Sequence, residues 1–332
     1  MSQFMSHRYL VAGGAGFIGS HLVAELAEAG HECVVFDNLQ SGHRAAVIKD
    51  ARLVQGDLAD EEALDAVFKL GPFDAIFHLA DLSLVGESMR DPMRYLTVNG
   101  GNGGRLIAAA IRHNVPRFVF SSTANLFSVS GHRSIGENTP VQPGSAYGEA
   151  KYMVERMLHW ADQVHGLRYA CLRYFNAAGS DPQGRFGEDH TPETHLIPLV
   201  IDTALGRRDE LALFGTDYPT ADGTCVRDYV HVSDLARAHM GVLARLDEGS
   251  LRYNVGIGRG YSVREVIESV TRVSGLVVIP RLAERRAGDP AFLVADASRI
   301  AQEIGWKPRF ESLDAIVATA FEWRQRHPNG YR

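Results

Sequence analysis

Residues 9–19 read Tyr9-Leu10-Val11-Ala12-Gly13-Gly14-Ala15-Gly16-Phe17-Ile18-Gly19. The four leading apolar residues predict a short buried strand. Ile18, Leu22, Leu26 and Ala29 then recur at helical spacing until Gly30 closes the pattern. Strand, glycine loop and helix in that order predict a dinucleotide-binding turn. The glycines let the backbone turn tightly and approach a pyrophosphate, whose charge the helix amino terminus stabilises. A second apolar run, Cys33-Val34-Val35-Phe36, ends in Asp37. A carboxylate there accepts hydrogen bonds from ribose hydroxyls and repels a 2′-phosphate, which favours NAD over NADP.

The alternation continues outward. Leu53-Val54-Gln55-Gly56-Asp57 and Asp74-Ala75-Ile76-Phe77-His78 read as further strands, with a helical stretch near 60–70 between them. Asp57 has a second reading as a helix cap. Residues 92–113 predict one long helix, interrupted by Asn99-Gly-Gly-Asn-Gly-Gly104. Each glycine costs a helix up to ~1 kcal/mol relative to Ala, so a close contact or a distortion is expected there. Strand Phe118-Val119-Phe120 delivers Ser121-Ser122-Thr123, and Tyr147-Gly-Glu-Ala-Lys151 follows on a predicted helix. Tyr147 and Lys151 are then one turn apart on one face. A phenol is a poor base at neutral pH, with an ordinary pKa of about 10, unless a fixed cation stabilises the phenolate. Read alone, the pair is equally an amphipathic helix with a surface lysine. The chain has only four lysines, which weighs against coincidence.

Composition sets the broad class. The 332 residues are 45% hydrophobic and 22% charged, with net charge −6, as in ordinary globular proteins. No basic block offers a phosphate-neutralising surface, so no nucleic-acid partner is expected. No apolar run approaches the ~20 residues that span a bilayer, so no membrane partner is expected either. Cys33, Cys171 and Cys225 are isolated and odd in number. With a start that lacks an apolar leader, they predict a cytoplasmic protein without disulfides.

The motifs Gly13-x-x-Gly16-x-x-Gly19, Thr123, Tyr147-x-x-x-Lys151 and Leu172-Arg-Tyr-Phe-Asn176 together resemble the extended short-chain dehydrogenase/reductase family. Residues 187–198 (Gly-Glu-Asp-His-Thr-Pro-Glu-Thr-His-Leu-Ile-Pro), 214–220 and 222–231 are similar to those of UDP-glucose 4-epimerases. The similarity runs from about residue 8 to the carboxyl end. It implies an α/β protein: a doubly wound parallel-sheet Rossmann domain over 7–176, and a smaller α/β nucleotide-sugar lobe mainly over 177–332. It implies NAD held by Gly13, Gly16, Phe17 and Ile18 at the phosphate turn, and by Asp37, Asn38, Asp57 and Leu58 at the adenosine. Leu79, Ala80, Asn99, Ser121, Tyr147, Lys151 and Tyr174 complete that cofactor set. Tyr147, Lys151 and Thr123 are the implied catalytic residues.

For a UDP-sugar substrate, the resemblance implies Thr123, Asn176, His195 and Leu196 around sugar and phosphate. Ala212 and Phe214 would frame uracil, Arg227 and Arg286 clamp the diphosphate, Asp289 meet the ribose, and Leu293 limit the space beside C2. Other readings stand beside these: Phe214 as core, Asp289 as a turn residue before Pro290, and Arg227 paired with Asp228. The cluster Asp189, His190, Glu193 and His195 invites a metal reading. Its prolines and lack of repeated helical spacing argue against one, and no metal is expected. The implied activity is epimerisation at C4 of a UDP-hexose, with a homodimer formed through helices near 92–113 and 146–165. A UDP-hexuronate or specialised-pathway epimerase is the alternative, and a non-catalytic NAD-binding regulator is the more distant one. Three departures stand out: Ser83 where the family commonly has Lys, and Asn125 and Phe127-Ser128 in the loop after Thr123.

Overall fold

A computed structural model of the chain describes residues 6–127, 134–286 and 289–332; Ser128 lies outside them. The chain forms two compact units. One comprises the chain up to Leu126, then Pro143–Arg173 and Ala236–Tyr253; the other comprises Phe127–Gln142, Tyr174–Leu235 and Asn254–Arg332.

The first unit is built on a seven-stranded sheet. Its strands are β1 (Arg8–Ala12), β2 (Glu32–Asp37), β3 (Arg52–Gln55), β4 (Ala75–His78), β5 (Arg117–Thr123) and β6 (Arg168–Tyr174), with β10 (Leu251–Val255) beyond β6. Their order is β3-β2-β1-β4-β5-β6-β10, and the pairs from β3 through β5 are parallel. The first six follow the doubly wound order in which ligands meet the carboxyl ends of strands. Parallel strands are covered on both faces, which explains their near-continuous apolar runs. Leu10, Phe36, Ile76, Phe118 and Phe120 of the sheet are buried with Leu106, Val154 and Leu158 from the helices.

Helix α1 (Phe17–Glu28) starts at Gly16, and Gly30 has φ +86°. Helix α2 (Glu61–Phe68) is capped by Asp60, whose carboxylate accepts from the amides of Glu62 and Ala63. That corrects the cap reading of Asp57, which stands one turn too early. After a short turn α3 (Val85–Ser88), the expected helix over 92–113 is divided. Helix α4 (Pro92–Tyr95), a π-helical turn (Leu96–Gly101) and α5 (Asn102–Arg112) take its place. Helix α6 (Ala146–His165) opens at Ser145, whose hydroxyl accepts from the Gly148 amide at 3.1 Å, and Gly166 follows it with φ +71°.

The second unit centres on β9 (Val226–His231). It pairs in parallel with β7 (Asn176–Ala178) and β13 (Phe292–Leu293), and antiparallel with β11 (Gly260–Ser262). A separate parallel pair joins β8 (Ala212–Phe214) to β12 (Arg281–Ala283). Helices α7 (Leu196–Ala204), α9 (Val263–Ser274) and α11 (Leu313–Arg326) pack on one another, burying Ile197, Val200, Val266, Val270, Ile316 and Val317. A capping box opens α9: the Glu265 amide donates to Ser262 Oγ and the Ser262 amide to Glu265 Oε2. Helices α8 (Val232–Gly241) and α10 (Ser298–Ile304) complete the chain. Among the described residues, no helix is long and apolar enough to cross a membrane.

Candidate active site

In the first unit, the phosphate turn closes against β4. Gly13 has φ +82°, and a Cβ there would come within 2.6 Å of the Ala80 nitrogen and the Leu79 carbonyl carbon. Only glycine fits both demands. Gly16 gives α1 no side-chain cap, so its leading amides face the turn, as a pyrophosphate site requires. Phe17 and Ile18 open the helix. Asp37 is buried at the end of β2, where its carboxylate accepts from the Ala15 amide at 3.0 Å and the Leu39 amide at 2.9 Å. Burial raises its pKa, which those two amides partly offset. Asn38 donates to Asp57 Oδ2 at 2.8 Å, and Asp57 Oδ1 accepts from the Ala59 amide, next to buried Leu58. Of the four expected adenosine contacts, Asn38 and Asp57 are therefore bonded to each other.

The second cluster sits at the ends of β4 and β5. Asn99, fully buried in the π-turn, accepts from the Leu82 amide at 2.9 Å and donates to its carbonyl at 2.8 Å. Thr123 Oγ1 accepts from the Asn125 amide and side chain, both at 3.1 Å. One departure residue therefore touches a proposed catalytic group directly. Tyr147 is buried on α6, its ring edge-on to Tyr95 at 6.4 Å. The Lys151 ammonium lies 5.7 Å from the Tyr147 ring centroid, so the helix brings the two together as the spacing predicted. It also donates to the Ser121 carbonyl at 2.7 Å and to Asp81 Oδ2 at 2.5 Å.

Asp81 is the residue that sequence reasoning missed. Both members of its pair with Lys151 are almost wholly buried. His78, also buried, has Nε2 at 3.9 Å from the other Asp81 oxygen; burial lowers its pKa despite that carboxylate. The available signal was an acidic residue directly after the His78-Leu-Ala turn. Beneath α6, Ser122 donates to Glu155 at 2.6 Å, and Arg173 forks onto the same carboxylate at 2.8 and 2.5 Å. This buried network fixes the strand end against the helix.

In the second unit, Arg227 forms an ion pair with Asp289, correcting the alternative that paired it with Asp228. Asp228 instead accepts from the amides of Ile257, Gly258 and Ala295. Leu293 is buried directly beside Arg227 in the β9–β13 register. The Arg286 guanidinium stacks 4.2 Å from the Phe214 ring centroid. Phe214 is half-exposed while Leu213 is buried, so Leu213 rather than Phe214 supplies the core position of β8. Ala212 shares the outward face of β8. Asn176 opens β7, and Tyr174 is buried at the end of β6. His195 is the residue before α7, and Leu196 is its first member.

His195 also belongs to a charged cluster. Its Nδ1 lies 2.8 Å from Glu188 and 3.1 Å from Glu193, while His190 Nδ1 lies 3.3 Å from Glu188. Burial alone would lower both imidazoles. The two carboxylates outweigh it and raise His190 to about 9 and His195 to about 10. Glu188 takes the place that the sequence reading gave to Asp189, whose carboxylate turns away to accept from the Tyr331 amide at 3.0 Å.

Comparison with known proteins gives this architecture a relationship. The pattern of the NAD dependent epimerase/dehydratase family matches residues 9–256. The chain belongs to that family. It is 46% identical over 324 residues to the UDP-glucose 4-epimerase of Halalkalibacterium halodurans, covering 97% of each chain. The crystal structure of UDP-glucose 4-epimerase from Brucella ovis in complex with NAD is 42% identical and superposes with a TM-score of 0.92, over 96% of this chain and 98% of that one. The UDP-glucose 4-epimerase from Bifidobacterium longum, in complex with NAD+ and UDP, is 34% identical, with a TM-score of 0.92 over 97% and 99% of the two chains.

Proposed function

We infer that this chain is an isomerase that interconverts UDP-glucose and UDP-galactose by NAD-dependent epimerisation at C4, through a transient 4-keto sugar. The observation that carries the reading is the buried Tyr147–Lys151 pair at the carboxyl end of β5, in a chain whose glycine turn lies two strands away in the same sheet. The Gly13 close approach, the uncapped start of α1 and buried Asp37 suit NAD. We assign Gly13, Gly16, Phe17 and Ile18 to its phosphates, Asp37, Asn38, Asp57 and Leu58 to its adenosine, and Leu79, Ala80, Asn99, Ser121 and Tyr174 to the remainder. Bound NAD supplies a reversible hydride acceptor.

The chain's own residues handle the proton and the substrate. Tyr147 takes the proton of the sugar 4-hydroxyl and returns it, with Thr123 Oγ1 orienting that hydroxyl. The Lys151 ammonium stabilises the Tyr147 phenolate and holds a cofactor ribose hydroxyl. Arg227 and Arg286 grip the diphosphate, and guanidinium forks suit that geometry. Their pairing with Asp289 and Phe214 holds them in place before a ligand arrives. Phe214 and Ala212 frame uracil, Asp289 meets the ribose, and Asn176, His195 and Leu196 meet the sugar and first phosphate. Binding energy gathered at the nucleotide leaves the sugar free to turn. Buried, branched Leu293 favours glucose and galactose over N-acetylated sugars. We further propose a homodimer and a cytoplasmic location, the latter in keeping with three buried free thiols.

The test is proton NMR of the chain incubated with UDP-galactose, following UDP-glucose as it forms. Tyr147→Phe should lower kcat at least about a hundredfold, the usual range for a lost acid–base group. Near-normal turnover by a folded Tyr147→Phe variant overturns the catalytic assignment. Turnover of a UDP-hexuronate or acetamido sugar in place of both hexoses keeps the chemistry and changes the substrate.

A further inference from the structure

The loop before α7 gathers four potential metal ligands from residues 188–195. One ligand atom each from Glu188, His190, Glu193 and His195 lies within 4.8 Å of all the others. Both imidazoles present the same atom, Nδ1, to the same two carboxylates. His195 and His190 lie 2.8 and 3.3 Å from Glu188 Oε1, His195 lies 3.1 Å from Glu193 Oε1, and His190 lies 3.8 Å from Glu193 Oε2. A tetrahedral Zn2+ with bonds of about 2.0–2.1 Å has ligand–ligand edges of about 3.3 Å, near the two Glu188 contacts and below the 3.8 Å to Glu193 Oε2. We propose that Glu188, His190, Glu193 and His195 form a site for a divalent cation of the Zn2+ class.

A second observation comes from Glu193. Its Oε1 accepts from the amides of Thr194 and His195, whereas its buried Oε2 has no hydrogen-bond donor among the described residues. The nearest cationic atoms to Oε2 are His190 Nδ1 at 3.8 Å and Arg324 Nη1 at 3.9 Å. Arg324 does not compete for this pocket, because its fork is already bound to Asp202 and it donates to the Glu188 carbonyl. Two imidazoles and two carboxylates form an N2O2 set that suits Zn2+ rather than Ca2+ or Mg2+, which favour oxygen alone. The ring centroids of the two imidazoles are 5.1 Å apart and tilted by 49°.

The spacing that argued against a metal was the absence of a helical repeat. A loop needs none: here the turn around Thr191-Pro192 folds His190 back over Glu193, and Glu188 faces both imidazoles. The bound ion would tie this loop to the start of α7, fixing the backbone of His195 and Leu196.

The test uses the full chain stripped with EDTA, dialysed, and titrated with Zn2+ by calorimetry and with Co2+ by visible absorption. A single saturable site is expected, with the intense d–d bands of tetrahedral Co2+ and a rise in thermal midpoint on Zn2+ addition. His190→Ala should abolish the Co2+ bands. Glu188→Gln, nearly isosteric and safer for folding, should weaken Zn2+ binding roughly tenfold or more. His165→Ala, at the exposed end of α6, should change neither. Absence of saturable binding by the folded chain overturns the proposal, as does binding that survives both cluster variants unchanged.

Discussion

Among the hydrogen-bond partners of the Lys151 ammonium are the Ser121 carbonyl and Asp81, which carries a full negative charge. Asp81 sits 2.5 Å from Nζ with both side chains out of water, so little solvent screens the pair. An unpaired Lys151 would exert its whole field on the phenol 5.7 Å away; Asp81 cancels part of it. Asp81 is therefore a positioning residue that holds the ammonium under the Ser121 carbonyl and moderates its effect on Tyr147. Asp81→Asn keeps the shape and removes the charge. The activity of that variant should rise at lower pH than the parent's, with the acid limb of the kcat profile displaced downward. Breaking a buried pair also costs about 3–5 kcal/mol of stability, so the thermal midpoint should fall. An unmoved pH profile with a lowered midpoint would assign Asp81 a structural role only. Asp81 escaped the sequence reading because its place after the His78-Leu-Ala turn does not reveal its partner. Its partner is 70 residues away, and the same holds for Arg227 and Asp289, 62 residues apart.

At the scale of elements, local signals were read well where the physics is local. The glycine turn and the strand ends at Asp37 and Thr123 depend on neighbours in sequence, and each was visible there. The glycine run at 100–104 was also legible as an anomaly, since its helix cost needs a compensating cause. Two causes are found: a π-turn over Leu96–Gly101, and contact with α6 close enough that side chains on α5 would collide. The π-turn itself was not foreseeable from local propensity, and Asn99 within it bonds Leu82, 17 residues away. A Cβ on Gly103 would lie 2.6 Å from Val154 Cγ2. Gly103→Ala gains helix propensity of up to ~1 kcal/mol but overpacks a buried interface, typically by about 1–3 kcal/mol. The net expected effect is destabilisation, read as a lower urea midpoint. Gly103→Ala combined with Val154→Ala should recover part of it, because the collision is removed on the other side. A Gly103→Ala variant as stable as the parent would show that α5 and α6 have slack.

At the scale of the whole molecule, α6 leaves part of one face exposed. Met153 and Met157 reach over Gly100 and Gly104, and Trp160 and Val164 continue the same stripe at helical spacing. Trp160 remains 59% exposed and Val164 67%, whereas the opposite face of the helix is buried. Met89 and Met93, near α4, are similarly exposed. Large apolar side chains grouped in this way suit an association surface, and tryptophan is among the residues enriched at the hot spots of such surfaces. A homodimer that pairs α6 with its copy would cover the stripe isologously, each Trp160 meeting the partner's apolar face. With a chain mass of 36.4 kDa, light scattering should return twice that value for the parent protein. Trp160→Glu with Val164→Glu places like charges opposite one another across the two-fold axis, and like-charge juxtaposition costs several kcal/mol. The double variant should run as a monomer with unchanged far-UV circular dichroism, since both positions are exposed in the single chain. A parent protein that is monomeric at micromolar concentration, or a double variant that still dimerises, would remove α6 as the assembly surface.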